Sequence, residues 1–97
     1  MTDSRKMFVL IYEVKPNYLA RRAEFRVEHL QMATRAHEAG ELLYGGALGE
    51  PIDRAMLVFC CDSSEVPRRF AQNDPYVING LVSKWEVQPW HVVIGCK

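Results

Sequence analysis

Two stretches of this chain are apolar at nearly every successive residue, and that limits the possible fold more than any other feature. Met7 to Val14 reads as a strand with Phe8, Leu10 and Tyr12 on one side and Met7, Val9 and Ile11 on the other. Arg54 to Cys61 carries a second such run, Ala55-Met56-Leu57-Val58-Phe59-Cys60-Cys61. A strand with two apolar faces must be covered twice. A chain of 97 residues has only enough interior for one core, so residues 1–97 are read as a single domain that covers one face of its sheet with its own helices. The other face needs a second molecule, which points to a homo-oligomer.

The connecting segments supply the helices. Pro16-Asn17 breaks the first strand, and Tyr18 to Ala39 reads as one long helix closed by Gly40, whose backbone accepts the left-handed conformation that ends helices. At about 100° per residue, Leu19, Ala23, Leu30, Ala33 and His37 fall on one stripe, expected to face the sheet. Glu41 to Leu48 is a strand interrupted by Gly45-Gly46, where missing side chains imply a bulge or the close approach of a backbone or ligand. Gly49-Glu50-Pro51 is the turn into the Arg54–Cys61 strand. Asp62-Ser63-Ser64 offers capping side chains for a helix to about Gln72, with Pro67 in its first turn. Asn73-Asp74-Pro75 opens a short helical turn ending near Gly80, with Asp74 as N-cap. Leu81 to Ile94 is strand-like, and Pro89 marks it as a sheet edge. The order β-α-β-β-α-β is that of the ferredoxin-like α+β fold, a four-stranded antiparallel sheet with both helices on one face.

Composition excludes several classes of function. Twelve basic residues balance twelve acidic ones, and the Arg21-Arg22 and Arg68-Arg69 pairs never extend into a basic stripe, so nucleic acid is not an expected partner. The polar start Met1 to Lys6 leads into an apolar run too short for a signal peptide or a membrane span. Three cysteines without C-x-x-C spacing fit reduced thiols, with Cys96 the one candidate for reactivity, and the expected location is the cytoplasm. Three scattered histidines make no metal motif, and Gly45-Gly46 matches neither phosphate-binding fingerprint, so no metal or cofactor is expected.

Few residues are left to carry chemistry. Arg26 and His29 are three apart on a helix and so are neighbours at the border of its apolar stripe. There a histidine can exchange a proton near neutral pH, and an arginine favours an anion or developing negative charge. The same spacing also fits a half-exposed histidine beside a surface arginine. Asp74 is explained fully by helix capping, yet a carboxylate meeting His29 would make a general-base pair. His37 reads as a buried core histidine and His91 as a structural or interfacial residue of the last strand. Trp85, Trp90, Tyr12, Tyr44 and Tyr76 could line an aromatic pocket, but strand aromatics equally serve core and interface.

Arg26-Val27-Glu28-His29-Leu30, Gly40-Glu41-Leu42 with Gly45-Gly46, Asp74-Pro75-Tyr76 with Gly80, and Val87-Gln88-Pro89-Trp90 together resemble the YCII-related family over most of the chain. The resemblance implies a dimeric α+β barrel, formed when two sheets face each other. It also implies His29 and Asp74 as active-site residues, with Arg26 and Tyr76 beside them as substrate contacts. The family includes a dehydrochlorinase acting on a chlorinated hydroxyhydroquinone, and similar barrels include muconolactone isomerases. These relatives imply cofactor-independent proton transfer on a small cyclic or aromatic anion. A non-catalytic small-molecule-binding or oligomeric interaction protein is the alternative. The Gly49–Arg54 stretch is shorter than in many relatives, which leaves the size of the pocket wall open.

Overall fold

The structure is a computed structural model and describes residues 6–95. The chain runs β1 (Lys6–Val14), α1 (Tyr18–Arg21), a 3₁₀ turn (Arg22–Glu24), α2 (Arg26–Glu38), β2 (Leu42–Gly49), β3 (Ile52–Cys61), α3 (Glu65–Asn73), α4 (Pro75–Ile78) and β4 (Val82–Trp90). The sheet order is β2-β3-β1-β4, with every neighbouring pair antiparallel. The two strands with apolar residues on both sides are therefore the central ones. β2, with its glycines, and β4, with Pro89, are the edges, where a missing side chain or a missing N–H costs least.

Register fixes the faces. Phe8 pairs with Phe59, Leu10 with Leu57 and Tyr12 with Ala55, and all six are buried on the helix side with Phe70, Ala71 and Tyr76. The alternate residues look the other way. Val9 opposite Val58 is at the centre of that open side, flanked by half-buried Met7, Ile11, Met56 and Cys60.

Expectation and structure part in four places. The helix expected over Tyr18–Ala39 is broken: the chain tightens into a 3₁₀ turn and then leaves helical geometry at Phe25 (φ −119°), which lets Phe25 pack against the core. The break resets the helical phase: Phe25, just before α2, and Met32, Ala33 and Ala36 within it pack on the core, so Ala33 is kept from the expected stripe while Leu19, Ala23 and Leu30 are exposed. His37 is accordingly exposed, not a core residue. The last strand stops at Trp90, short of Ile94, so His91 lies beyond it and is exposed. The expected terminator does operate: Gly40 has φ 81°, its N–H bonds the His37 carbonyl at 2.9 Å, and Glu41 N–H bonds that of Ala36 at 3.1 Å. Cys96, the thiol singled out for reactivity, lies outside the described residues.

Candidate active site

Asp74 is the one buried charged side chain among the described core residues, at 0% exposure. A carboxylate taken out of water must find donors. Three converge on it. Tyr12 Oη, from the centre of the sheet, donates to Oδ2 at 2.7 Å. Tyr76 N–H donates to Oδ1 at 3.0 Å, which makes Asp74 the N-cap of α4, with Pro75 in the first helical position. His29 Nδ1, from α2, lies 2.9 Å from Oδ1. Residues 45 apart in the chain thus meet because α2 and α4 pack on the same sheet face.

The partners constrain one another. An ionised carboxylate only accepts, so His29 carries its proton on Nδ1 and leaves the Nε2 lone pair free. The imidazole plane is held by the Tyr76 ring, stacked on it at 4.0 Å between centroids and 11° between planes, while Phe70 meets it edge-on at 6.5 Å. The Tyr12 phenol is pushed far above its ordinary pKa, by burial first and by the Asp74 charge second, so it remains a donor throughout the working range. Burial also raises the Tyr76 phenol, and the Arg26 and Arg22 guanidiniums offset part of that shift. Tyr76 Oη is nonetheless buried with no partner in bonding geometry among the described residues.

Tyr76 and His29 border a cavity of about 330 Å3 lying between α2 and β2, with Tyr12, Ala55 and Leu57 among its lining residues. Its charged side chains are Arg22 and Arg26, and no carboxylate of the described residues lines it, so it favours anions. The Gly45-Gly46 pair forms part of the wall. A Cβ on Gly46 would meet nothing within 4 Å, and one on Gly45 would touch only Leu57, at 3.5 Å. The bulge expected at these glycines falls earlier, between Leu42 and Tyr44; of the two, Gly45, opposite inward-facing Leu57, is the one whose missing side chain leaves room on the cavity side. Among the described residues no three His, Cys, Asp or Glu side chains are grouped to hold a metal.

The structure brings together all four expected site residues: His29, Arg26 and Tyr76 line the cavity and Asp74 lies behind His29. Trp85 packs against the core and Trp90 is 45% exposed, and neither reaches the cavity. Three lining residues lie outside the four expected site residues, Tyr12 among them as one of the aromatics expected to line a pocket or the core. Tyr12 looked like a core aromatic, although a buried strand tyrosine always raises the question of where its hydroxyl bonds. Arg22 looked like solvated helix surface. His37 was assigned to the core, yet it lines the cavity with Nδ1 2.7 Å from the Leu42 carbonyl.

The family model of the YCII-related domain matches residues 7–91. No curated protein matches the chain. Among solved structures the chain is similar to 5-chloro-2-hydroxyhydroquinone dehydrochlorinase (TftG) from Burkholderia phenoliruptrix AC1100, in complex with 2,5-dihydroxybenzoquinone. The identity is 22% over 87% of this chain and 92% of that one, with a TM-score of 0.73. A nipsnap family protein of unknown function from Agrobacterium tumefaciens is 13% identical over 89% and 86% of the two chains (TM-score 0.57). A dimeric ferredoxin-like protein from an uncultured marine organism is 15% identical over 98% and 96% (TM-score 0.56). At these identities the likenesses establish the fold.

Proposed function

We propose, for a chain that belongs to the YCII-related family, a cofactor-independent enzyme that moves a proton on a small cyclic or aromatic anion, of lyase, isomerase or dehydrochlorinase type. The observation that carries this reading is the buried Asp74 carboxylate 2.9 Å from a His29 imidazole that borders a cationic cavity. His29 Nε2 takes a proton from a ring hydroxyl or from a carbon beside a carbonyl, and Asp74 stabilises the imidazolium that results. The electron pair left behind moves into the ring, where the Arg26 guanidinium, beside Tyr76, meets the oxygen that gains charge. If a ring carbon bears chlorine, His29 returns the proton to that carbon as the hydroxyl becomes a carbonyl, and loss of a second hydroxyl proton then expels chloride from the saturated carbon, so that HCl is lost overall. If the proton is returned to another carbon, the ring is isomerised. Either outcome is redox-neutral and needs no electron carrier. A dehydrochlorinase among the similar structures supports this choice of substrate class.

The functional unit in this reading is a homodimer closed over the open side of the sheet, where Met7, Ile11, Met56 and Cys60 remain half-exposed around the Val9–Val58 pair. No helix among the described residues is long and apolar enough to cross a membrane, and Cys60 and Cys61 are free thiols, which fits a reducing cytoplasm.

The test is chloride release from 5-chloro-2-hydroxyhydroquinone by the wild type and by His29→Gln. The variant is expected to lose at least about 100-fold in kcat while keeping its sedimentation coefficient. Equal rates in the two proteins would refute the role of His29. A non-catalytic binding protein is the second reading, favoured by the fact that capping α4 already accounts for Asp74. It predicts ligand binding in the same cavity with no turnover to lose.

A further inference from the structure

The cavity that holds His29 contains a second imidazole. His37 lines it from the other end of α2, and its Nδ1 lies 2.7 Å from the Leu42 carbonyl. A carbonyl only accepts, so that bond places a proton on Nδ1 and leaves Nε2 as the ring's exchangeable nitrogen. His29 is set in the same way by Asp74. Two histidines in one cavity thus each have Nδ1 committed to a fixed acceptor and Nε2 without a hydrogen bond to the described residues. The other lining side chains that ionise are tyrosines and the two arginines, none of which changes charge near neutrality. Among the described residues, the two imidazoles are therefore the only lining groups suited to exchanging protons there.

Spacing adds a constraint. Eight residues put the two α-carbons about 12 Å apart along the helix and turn their side chains about 80° from one another around it, so one ligand meets both rings only by spanning the cavity.

We propose that His37 is a second proton-carrying residue of this site, offering Nε2 to the edge of the ligand opposite His29. The proposal rests on the enzymatic reading above. In an isomerisation His29 starts neutral and takes a proton at one edge, while His37 starts protonated and delivers one at the other. The ligand keeps its composition, and the imidazoles end with exchanged charges that reset through solvent, to which His37 is open. In an elimination His37 transfers nothing and donates a hydrogen bond to the ring oxygen farthest from His29.

Two measurements test this. In the wild type, titration with 2,5-dihydroxybenzoquinone followed through the imidazole Cε1–H resonances should shift His29 and His37 along one saturation curve. A shift at His29 alone overturns the proposal and leaves the enzymatic reading standing, whereas no shift at either, up to millimolar probe, overturns both. Chloride release is then compared in His37→Asn and His37→Gln. The Asn amide can still donate to the Leu42 carbonyl but has nothing at the Nε2 position, so a purely structural His37 predicts wild-type behaviour. The proposal predicts a raised KM and a kcat reduced at least about 10-fold at unchanged Tm, with the longer Gln amide restoring KM before kcat. His37→Asn with wild-type kinetics would overturn it. Loss of activity in His29→Gln beside full activity in His37→Asn would leave the His29 mechanism intact and remove His37 from it.

Discussion

Replacing Tyr12 with Phe removes one oxygen from the centre of the molecule and little else. The ring is 1% exposed and packs among Leu10, Ala55 and Leu57, so the apolar contacts survive the change. What disappears is the 2.7 Å bond to Asp74 Oδ2. A buried hydrogen bond to a charged group contributes about 2 kcal/mol net, and the fully buried carboxylate has no exposed surface through which solvent could replace it. In a domain of this size each kcal/mol lowers Tm by about 4–8 °C, which gives an expected fall of about 8–16 °C at neutral pH. The substitution also changes alkaline behaviour. Burial and the Asp74 charge raise the folded-state pKa of Tyr12, so above about pH 10 the unfolded chain gives up a proton that the folded chain keeps. Stability therefore falls with rising pH, by about 1.4 kcal/mol per unit from this residue alone. A phenylalanine in its place titrates in neither state, and the alkaline limb should become shallower by one proton. The Tyr76 phenol is raised too, so a slope of the same sign remains. Urea unfolding at neutral pH and at about pH 10–11 measures both quantities. A Tyr12→Phe variant within about 0.5 kcal/mol of wild type, with an unchanged alkaline slope, would refute the account of how Asp74 is held.

Gly45→Val should fold normally, because a Cβ there makes only an ordinary 3.5 Å contact with Leu57, yet it should weaken 2,5-dihydroxybenzoquinone binding about 10-fold or more, a loss of about 1.4 kcal/mol, by filling the cavity. Unchanged affinity by calorimetry would place the ligand elsewhere. Met56→Glu puts a charge on the open side of the sheet opposite Ile11 and is expected to yield a folded monomer by sedimentation, whereas a persistent dimer would show that another surface joins the subunits. Alkylation read peptide by peptide should find Cys61 slow at neutral pH, since burial raises its thiol pKa. Cys60, half-buried on the open side, should slow as protein concentration rises, and a concentration-independent rate would argue against the face-to-face dimer.

The sheet was legible because its evidence is local. A residue run apolar on both sides can only be a central strand, and Pro89 can only sit at an edge. The helical layer was harder to read. Nothing in Arg22-Ala23-Glu24-Phe25 breaks a helix by propensity, and the break at Phe25 exists because the aromatic ring finds a core contact that a continuous helix would not place there. The change of phase it introduces carried His37 from an expected core position to the cavity. The site was legible in its members and not in its contacts. Motif spacing picked out Arg26, His29, Asp74 and Tyr76, but the meeting of His29 with Asp74 depends on two helices packing side by side. The bond from Tyr12 to Asp74 was not legible, because a tyrosine on the inner face of a strand satisfies the hydrophobic pattern whether or not its hydroxyl has work to do.

The carboxylate that orients His29 also starts α4, so the turn cannot form without placing the acceptor, and the acceptor cannot move without releasing the turn. The imidazole is thus preorganised by folding, before any ligand arrives. Binding should accordingly leave the α2–α4 backbone where it is, and ligands should differ in affinity according to their own fit and charge, with no shared cost for assembling the pair.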